Sequence, residues 1–225
     1  MSYLDRVPEP EVMDKMSEAI AYDLMDFRVV NADFVAKSIE LNAGGKILDV
    51  GTGTGRIPIL LAQELLTRNN RDFHIIAIDL AQSMLQIAQQ HLLTAELESY
   101  ISFQLVDAKQ MPYPDHCFDM IISNSIVHHL SDPQPFFREL CRLLKPTGGV
   151  LIRDLIRPQT IIELEYLVST YAGDCDGEQQ KLFRDSLRAS YTVPEIKTLF
   201  QQVNIPRIHI YQSSDRHWTA ERARL

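Results

Sequence analysis

The sequence predicts an α/β fold: a doubly wound, seven-stranded sheet, mostly parallel, with an antiparallel C-terminal hairpin strand and helices on both faces. Three observations predict it. From Lys46 onward, short apolar runs alternate with helical stretches of roughly 10 to 15 residues, the pattern of parallel βαβ units. The first run, Ile47-Leu48-Asp49-Val50, ends in the glycine loop Gly51-Thr52-Gly53-Thr54-Gly55. The chain closes on two short extended runs joined by Ser213-Ser214-Asp215, which make a hairpin rather than another crossover.

The elements follow in order. Helices are expected over residues 14–25 and 29–39, the second carrying Phe34, Val35 and Ile39 at helical spacing, before Gly44-Gly45 breaks the pattern. After the first strand comes a helix over 56–67 with Ile57, Leu60, Leu61 and Leu65 on one face. A buried run over 74–78 is the second strand. A helix over 83–97 follows, with Met84, Leu85, Ala88 and Leu92 three and four residues apart. Residues 101–106 and 119–123 are the third and fourth strands. Asp132-Pro133 opens a helix to Leu144, the proline being pre-set for a first turn, and Lys145-Pro146-Thr147-Gly148-Gly149 stops it. The fifth strand is 150–155, and 158–171 and 178–190 read as helices. Thr192 with Glu195 three residues on is a capping box for a helix carrying Ile196, Leu199 and Phe200. The hairpin runs are 205–212 and 217–222. Right-handed crossovers distribute the helices over both sheet faces.

Composition excludes several classes. A chain of 225 residues buries roughly 70% of its unfolded surface and needs no staple to fold. Its net charge of -8 repels phosphate backbones, so no nucleic-acid partner is expected; Arg153, Arg157, Arg184 and Arg188 are scattered rather than a patch. Cys117, Cys141 and Cys175 lie far apart, with no CxxC pair or Cys/His cluster, so no metal is expected. They read as reduced thiols of a cytoplasmic protein. No apolar run nears the ~20 residues of a membrane span, and the acidic, proline-bearing start is not a signal peptide. Neither a membrane partner nor an oligomeric state is implied.

Such a sheet binds ligands beyond the carboxyl ends of its strands, where the strand order reverses. The glycine loop sits there, and glycines let a ligand approach the backbone. Its spacing is GxGxG, whereas dinucleotide binders use GxGxxG. Asp49, two residues before the first glycine, would repel a pyrophosphate and suits a cationic amino group. S-adenosylmethionine has an amino group, a carboxylate, a sulfonium and no phosphate, and suits this loop better than a dinucleotide does. Asp79 ends the second strand, where a carboxylate accepts ribose hydroxyls; helix capping is its other role. Asp107-Ala108 ends the third strand, a carboxylate for an adenine amino group beside a small residue that leaves room for the ring, or a simple turn. Asn124 follows the fourth strand, where its backbone and amide can lie under a ligand.

The segments 47–55, 77–85, Asp107-Ala108 with Met111-Pro112, Phe118-Asp119-Met120-Ile121, Val127-His128-His129-Leu130 and 143–149 resemble, in their order, the successive motifs of class I S-adenosylmethionine-dependent methyltransferases. The branch they resemble includes ubiquinone/menaquinone-biosynthesis-like and small-molecule methyltransferases. The resemblance implies a Rossmann-like fold and a small-molecule methyl acceptor. It implies a cofactor set of Asp49, Gly51, Thr52, Gly53, Asp79, Leu80, Asp107, Ala108 and Asn124. Tyr22-Asp23-Leu24-Met25 resembles a tyrosine segment that closes over the cofactor in relatives. It further implies one domain over 1–225: a helical arm 1–44, a cofactor-binding core 45–155, a variable helical substrate cover 156–192, and a C-terminal helix and hairpin 193–225.

The family reaction is an in-line displacement at the sulfonium methyl, which chiefly requires positioning of the nucleophile. A general base matters only where the nucleophile keeps its proton. His128, Arg153 and Asp154 are the candidates at the methyl-transfer end, each with a plainer reading as packing or an internal ion pair. Tyr166, Tyr171, Phe183 and Tyr191 line either the cover or the core. Asp49→Ala and Gly51→Val are expected to abolish cofactor binding while sparing the fold. Two other functions stay in view: a cofactor-binding module without activity, and a dinucleotide-dependent oxidoreductase. Oxygen, nitrogen and carbon acceptors are all compatible with the scaffold.

Overall fold

A computed structural model describes residues 4–9, 14–25 and 27–225. Two helices, α1 (Met16–Asp23) and α2 (Arg28–Glu40), precede β1 (Gly45–Val50). There follow α3 (Arg56–Thr67), β2 (Phe73–Asp79), α4 (Gln82–Ala95), β3 (Ile101–Leu105) and β4 (Phe118–Asn124). A 3-10 turn, Val127–His129, leads to α5 (Gln134–Leu143), β5 (Leu144–Leu155), α6 (Ile161–Ala172), α7 (Gly177–Ala189) and α8 (Val193–Val203). The hairpin β6 (His209–Gln212) and β7 (His217–Arg222) completes the chain.

The strands form one seven-stranded sheet in the order β3-β2-β1-β4-β5-β7-β6. β1 to β5 pair in parallel, and β7 runs antiparallel to both of its neighbours. The doubly wound mixed sheet expected from the sequence is the one observed. The chain steps from β1 outward to β3 and then returns to place β4 on the other side of β1. The carboxyl ends of β1 and β4 therefore flank the crevice where the winding reverses.

Side-chain alternation along β1 builds both faces. Leu48 and Val50 enter a core with Ile121, Phe136, Phe137 and Trp218. Ile47 enters the opposite core with Phe34, Leu61, Ile75 and Leu151. Asp49 shares the parity of Ile47. The capping box at Thr192 forms as expected, with the Glu195 N–H donating to Thr192 and Glu195 accepting the Thr192 N–H at 2.7 Å.

Two boundaries differ from the sequence pattern. β5 begins at Leu144, because Leu144 pairs with Phe118 before the register shifts to Gly149 opposite Met120. The intervening residues bulge, and Pro146, which lacks an N–H, is tolerated there. β6 begins only at His209, after Pro206 and Arg207, whose φ is +60°. A turn at these residues replaces the start of the expected strand.

Candidate active site

The glycine loop leaves β1 by a tight turn. Gly51 and Thr52 N–H both donate to the Ile78 carbonyl at 2.9 Å, and Gly55 N–H donates to Thr52 at 3.0 Å. Gly51 has φ +74°, and a Cβ there would lie 2.8 Å from Ile126 Cβ. Only glycine allows this approach of β1 to the segment after β4. Asp49 is 2% exposed, and its Oδ2 finds no hydrogen-bond partner among the described residues; the same holds for Thr52 Oγ1. Burial pushes the Asp49 carboxyl up to about 7, with Asp79 adding repulsion; the nearby Thr52 hydroxyl opposes this without reaching hydrogen-bond geometry. A buried carboxyl oxygen without a partner carries a desolvation cost that a further hydrogen bond or ion pair would offset.

Asp79 ends β2 and turns back on the loop. Its Oδ2 accepts the Gly53 N–H at 2.8 Å and its Oδ1 accepts the Ala81 N–H at 2.9 Å. Burial raises its pKa and these amides pull against that rise. The turn-binding and ligand roles coexist, since each carboxylate oxygen keeps a second lone pair. Leu80 stands 40% exposed beside it. Asp107 accepts the Lys109 N–H at 2.8 Å, Ala108 is buried, and Asn124 ends β4. A pocket of about 420 Å³ lined by Val106, Asp107, Gln110, Met111 and Pro112 opens there. Adjacent parallel strands thus bring Asp107, Asp79, Asp49, Gly51 and Asn124 to one edge of the sheet.

The N-terminal arm folds over this edge. Tyr22 Cε1 lies 3.7 Å from where a Gly53 Cβ would stand, and burial, then Asp79, pushes the phenol up to about 12. Asp23 pairs with Arg56 at 2.9 Å and with His91 at 3.3 Å, while Asp14 accepts the Ser83 N–H at 3.0 Å. These contacts latch the α1 segment to the start of α3 and to two places along α4.

At the other end of the cleft, Asp154 is 1% exposed and holds the turn after β4. Its Oδ2 accepts the Val127 N–H at 2.5 Å and its Oδ1 pairs with His128 Nδ1 at 2.5 Å. Burial alone would raise Asp154 and lower His128, but their attraction outweighs it in both, so Asp154 falls and His128 rises. Residues 4–9 cross this turn. Arg6 donates to the carbonyls of Ala189 at 2.6 Å and Leu130 at 2.8 Å and lies 4.0 Å over the Tyr191 ring. Glu9 meets His129 Nδ1 at 3.0 Å and His128 Nε2 at 3.5 Å.

Strand parity separates the other candidates. Arg153 points away from Asp154, donating to Asp33 at 2.6 Å and to Thr219 at 3.3 Å beside Phe34. Arg157 pairs with Glu195 at 2.7 Å and donates to the Ser190 carbonyl. Both form ion pairs within the chain, and Arg153 does so on the face of β5 opposite Asp154 and His128. Tyr166 and Tyr171 are 61% and 42% exposed, Phe183 packs against the α6–α7 core, and Tyr191 is buried. Glu9 and Arg6 escaped the sequence reading because nothing near them marks a site; only the fold brings them to residues far along the chain.

A glycine turn at the switch point, acidic residues at or within two residues of three adjacent strand ends, and an unpartnered buried Asp49 oxygen gather at one edge of this α/β sheet. Residues 41–222 match the family described as methyltransferase domain, and the chain belongs to that family. A phosphoethanolamine N-methyltransferase of Triticum aestivum is 34% identical over 119 residues, covering 53% of this chain and 22% of that protein. A demethylmenaquinone methyltransferase of Lactobacillus johnsonii is 30% identical over 166 residues, covering 70% of this chain and 66% of that protein. The chain therefore spans about a quarter of the plant relatives' length. Among solved structures, a SAM-dependent methyltransferase from Aquifex aeolicus has the same fold, with TM-score 0.67, 19% identity, and coverage of 92% of this chain and 97% of that one.

Proposed function

We propose that this chain binds S-adenosylmethionine across the carboxyl ends of β3, β2, β1 and β4 and transfers its methyl group to a small-molecule acceptor. The single observation that carries the reading is Asp49, buried and with Oδ2 unpartnered at the glycine turn. A dinucleotide would bring a pyrophosphate to that carboxylate; an amino group would complete it. The residues fit the cofactor. Asp49 and Thr52 receive the amino-acid end, Gly51 and Gly53 admit it to the backbone, and Asp79 with Leu80 takes the ribose. Asp107 and Ala108 take the adenine, with Asn124 beneath. Bound there, the cofactor supplies a methyl on a positively charged sulfur, already a good leaving group.

The chain's own work is then to position the acceptor and exclude water. Asp154 fixes the His128 ring, and residues 4–9 and 14–25 lie over the cleft. Residues 156–192 are proposed as the substrate cover, supported by Tyr191 and the strap contacts at Ala189. The names of the phosphoethanolamine and demethylmenaquinone relatives support a small acceptor. Among the described residues no helix is long and apolar enough to cross a membrane, and the three cysteines are unpaired, which supports a cytoplasmic setting. Isothermal titration with S-adenosylmethionine, NADH and ATP tests the reading. Binding of the first alone supports it; binding of NADH alone overturns it.

A further inference from the structure

We propose that Glu9, His128 and His129 form a divalent-cation site of the zinc class at the acceptor end of the cleft. Their donor atoms, one from each residue, lie within 4.8 Å of one another. Glu9 Oε1 is 3.0 Å from His129 Nδ1 and 3.5 Å from His128 Nε2. Bonds of about 2.0–2.1 Å in a tetrahedral shell set neighbouring ligand atoms roughly 3.3 Å apart, which the two carboxylate–imidazole spacings match.

The surroundings are those of a metal centre. His128 Nδ1 faces the Asp154 carboxylate at 2.5 Å, which fixes the tautomer that leaves Nε2 as a donor and raises the ring's basicity. Ser186 donates to Glu9 Oε1 at 3.2 Å, orienting the carboxylate. The side chains of His128, Glu9 and His129 are 5%, 13% and 27% exposed, so ligand atoms are sheltered from water. His128 and His129 lie in the turn that follows Asn124 at the end of β4, so the cluster adjoins the proposed cofactor edge. Two imidazoles and one carboxylate favour a transition-series dication over magnesium or calcium. Three protein ligands leave a fourth position open, as in catalytic rather than structural sites. That position takes water or an oxygen of the acceptor; only this last step rests on the methyl-transfer reading.

The test uses the full, tag-free chain, stripped with chelator and titrated with Zn²⁺ by calorimetry and with Co²⁺ by visible absorption. One ion per chain and the intense bands of tetrahedral cobalt are expected. Glu9→Gln and His129→Asn should each weaken Zn²⁺ binding by about 100-fold or more, and Asp154→Asn by about 10–100-fold. Thermal melts confirm that each variant is folded; Glu9 and His129, which are less buried than His128, carry the test if Asp154→Asn fails to fold. Zn²⁺ binding that is equal in wild type and in the Glu9→Gln/His129→Asn double variant overturns the site, as does wild type that binds neither ion. A parallel S-adenosylmethionine titration of the stripped chain separates the two readings: cofactor binding without metal binding sinks this site alone.

Discussion

Asp79 accepts the Gly53 N–H at 2.8 Å, so the carboxylate that ends β2 also sets the shape of the glycine loop after β1. Its other oxygen holds the Ala81 N–H at 2.9 Å at the start of α4. Asp79→Ala therefore frees two backbone donors and removes the proposed ribose contact. We expect a loss of about 1–3 kcal/mol in stability by urea melt, together with at least ~100-fold weaker cofactor binding. Unchanged stability would mean that the loop holds its shape without Asp79.

The proposed role of Asp49 links cofactor affinity to pH. Its carboxyl, pushed up to about 7, must ionise to meet an amino group. S-adenosylmethionine should bind roughly tenfold more weakly at pH 6 than at pH 7.5, because one proton must leave. In the free protein the sign is opposite to that of a salt-bridged carboxylate. A folded value above the unfolded one makes stability fall as pH rises from about 4 toward 7. A flat affinity profile across pH 6 to 7.5 would contradict this.

Gly51 serves the fold, which corrects the expectation that its replacement leaves the structure largely intact. A side chain meets Ile126 at 2.8 Å and sits at φ +74°. Gly51→Val should cost about 2 kcal/mol or more from the backbone and the clash together, read as a lower denaturant midpoint. A midpoint equal to wild type would show that Ile126 moves aside freely.

His217 makes the hairpin acid-sensitive. Burial first, then the Arg216 and Arg153 charges, bring its pKa down to about 4. The unfolded chain takes up the proton near pH 6.5 and the folded chain does not, so stability falls as pH drops between those values. Wild type should lose about 2 kcal/mol more than His217→Gln between pH 7.5 and 5. Parallel losses in the two proteins would remove His217 as the cause.

The sheet was legible because its signals are local: apolar runs, helical spacing, glycines at strand ends. The gathering of Asp49, Asp79 and Asp107 at one edge of the sheet follows from the same local signals, since each lies at or within two residues of its strand's end. The pairing of Arg153 was not, because its face depends on register with β4 and on the arrival of Asp33 from α2. Pro146 and Gly148-Gly149 read as a helix stop but hide a bulge inside β5. Glu9 and Arg6 were invisible, since their partners at His128, His129 and Ala189 lie more than a hundred residues on.

The most direct test of the account is calorimetric titration of S-adenosylmethionine into wild type and Asp49→Asn at pH 7.5. The amide keeps the shape of the buried side chain but removes its charge, so the fold should persist, with stability equal or higher. The account predicts stoichiometric binding by wild type and at least ~100-fold weaker binding by the variant. Equal affinities would contradict it, because the buried carboxylate would then not be the group that receives the cofactor.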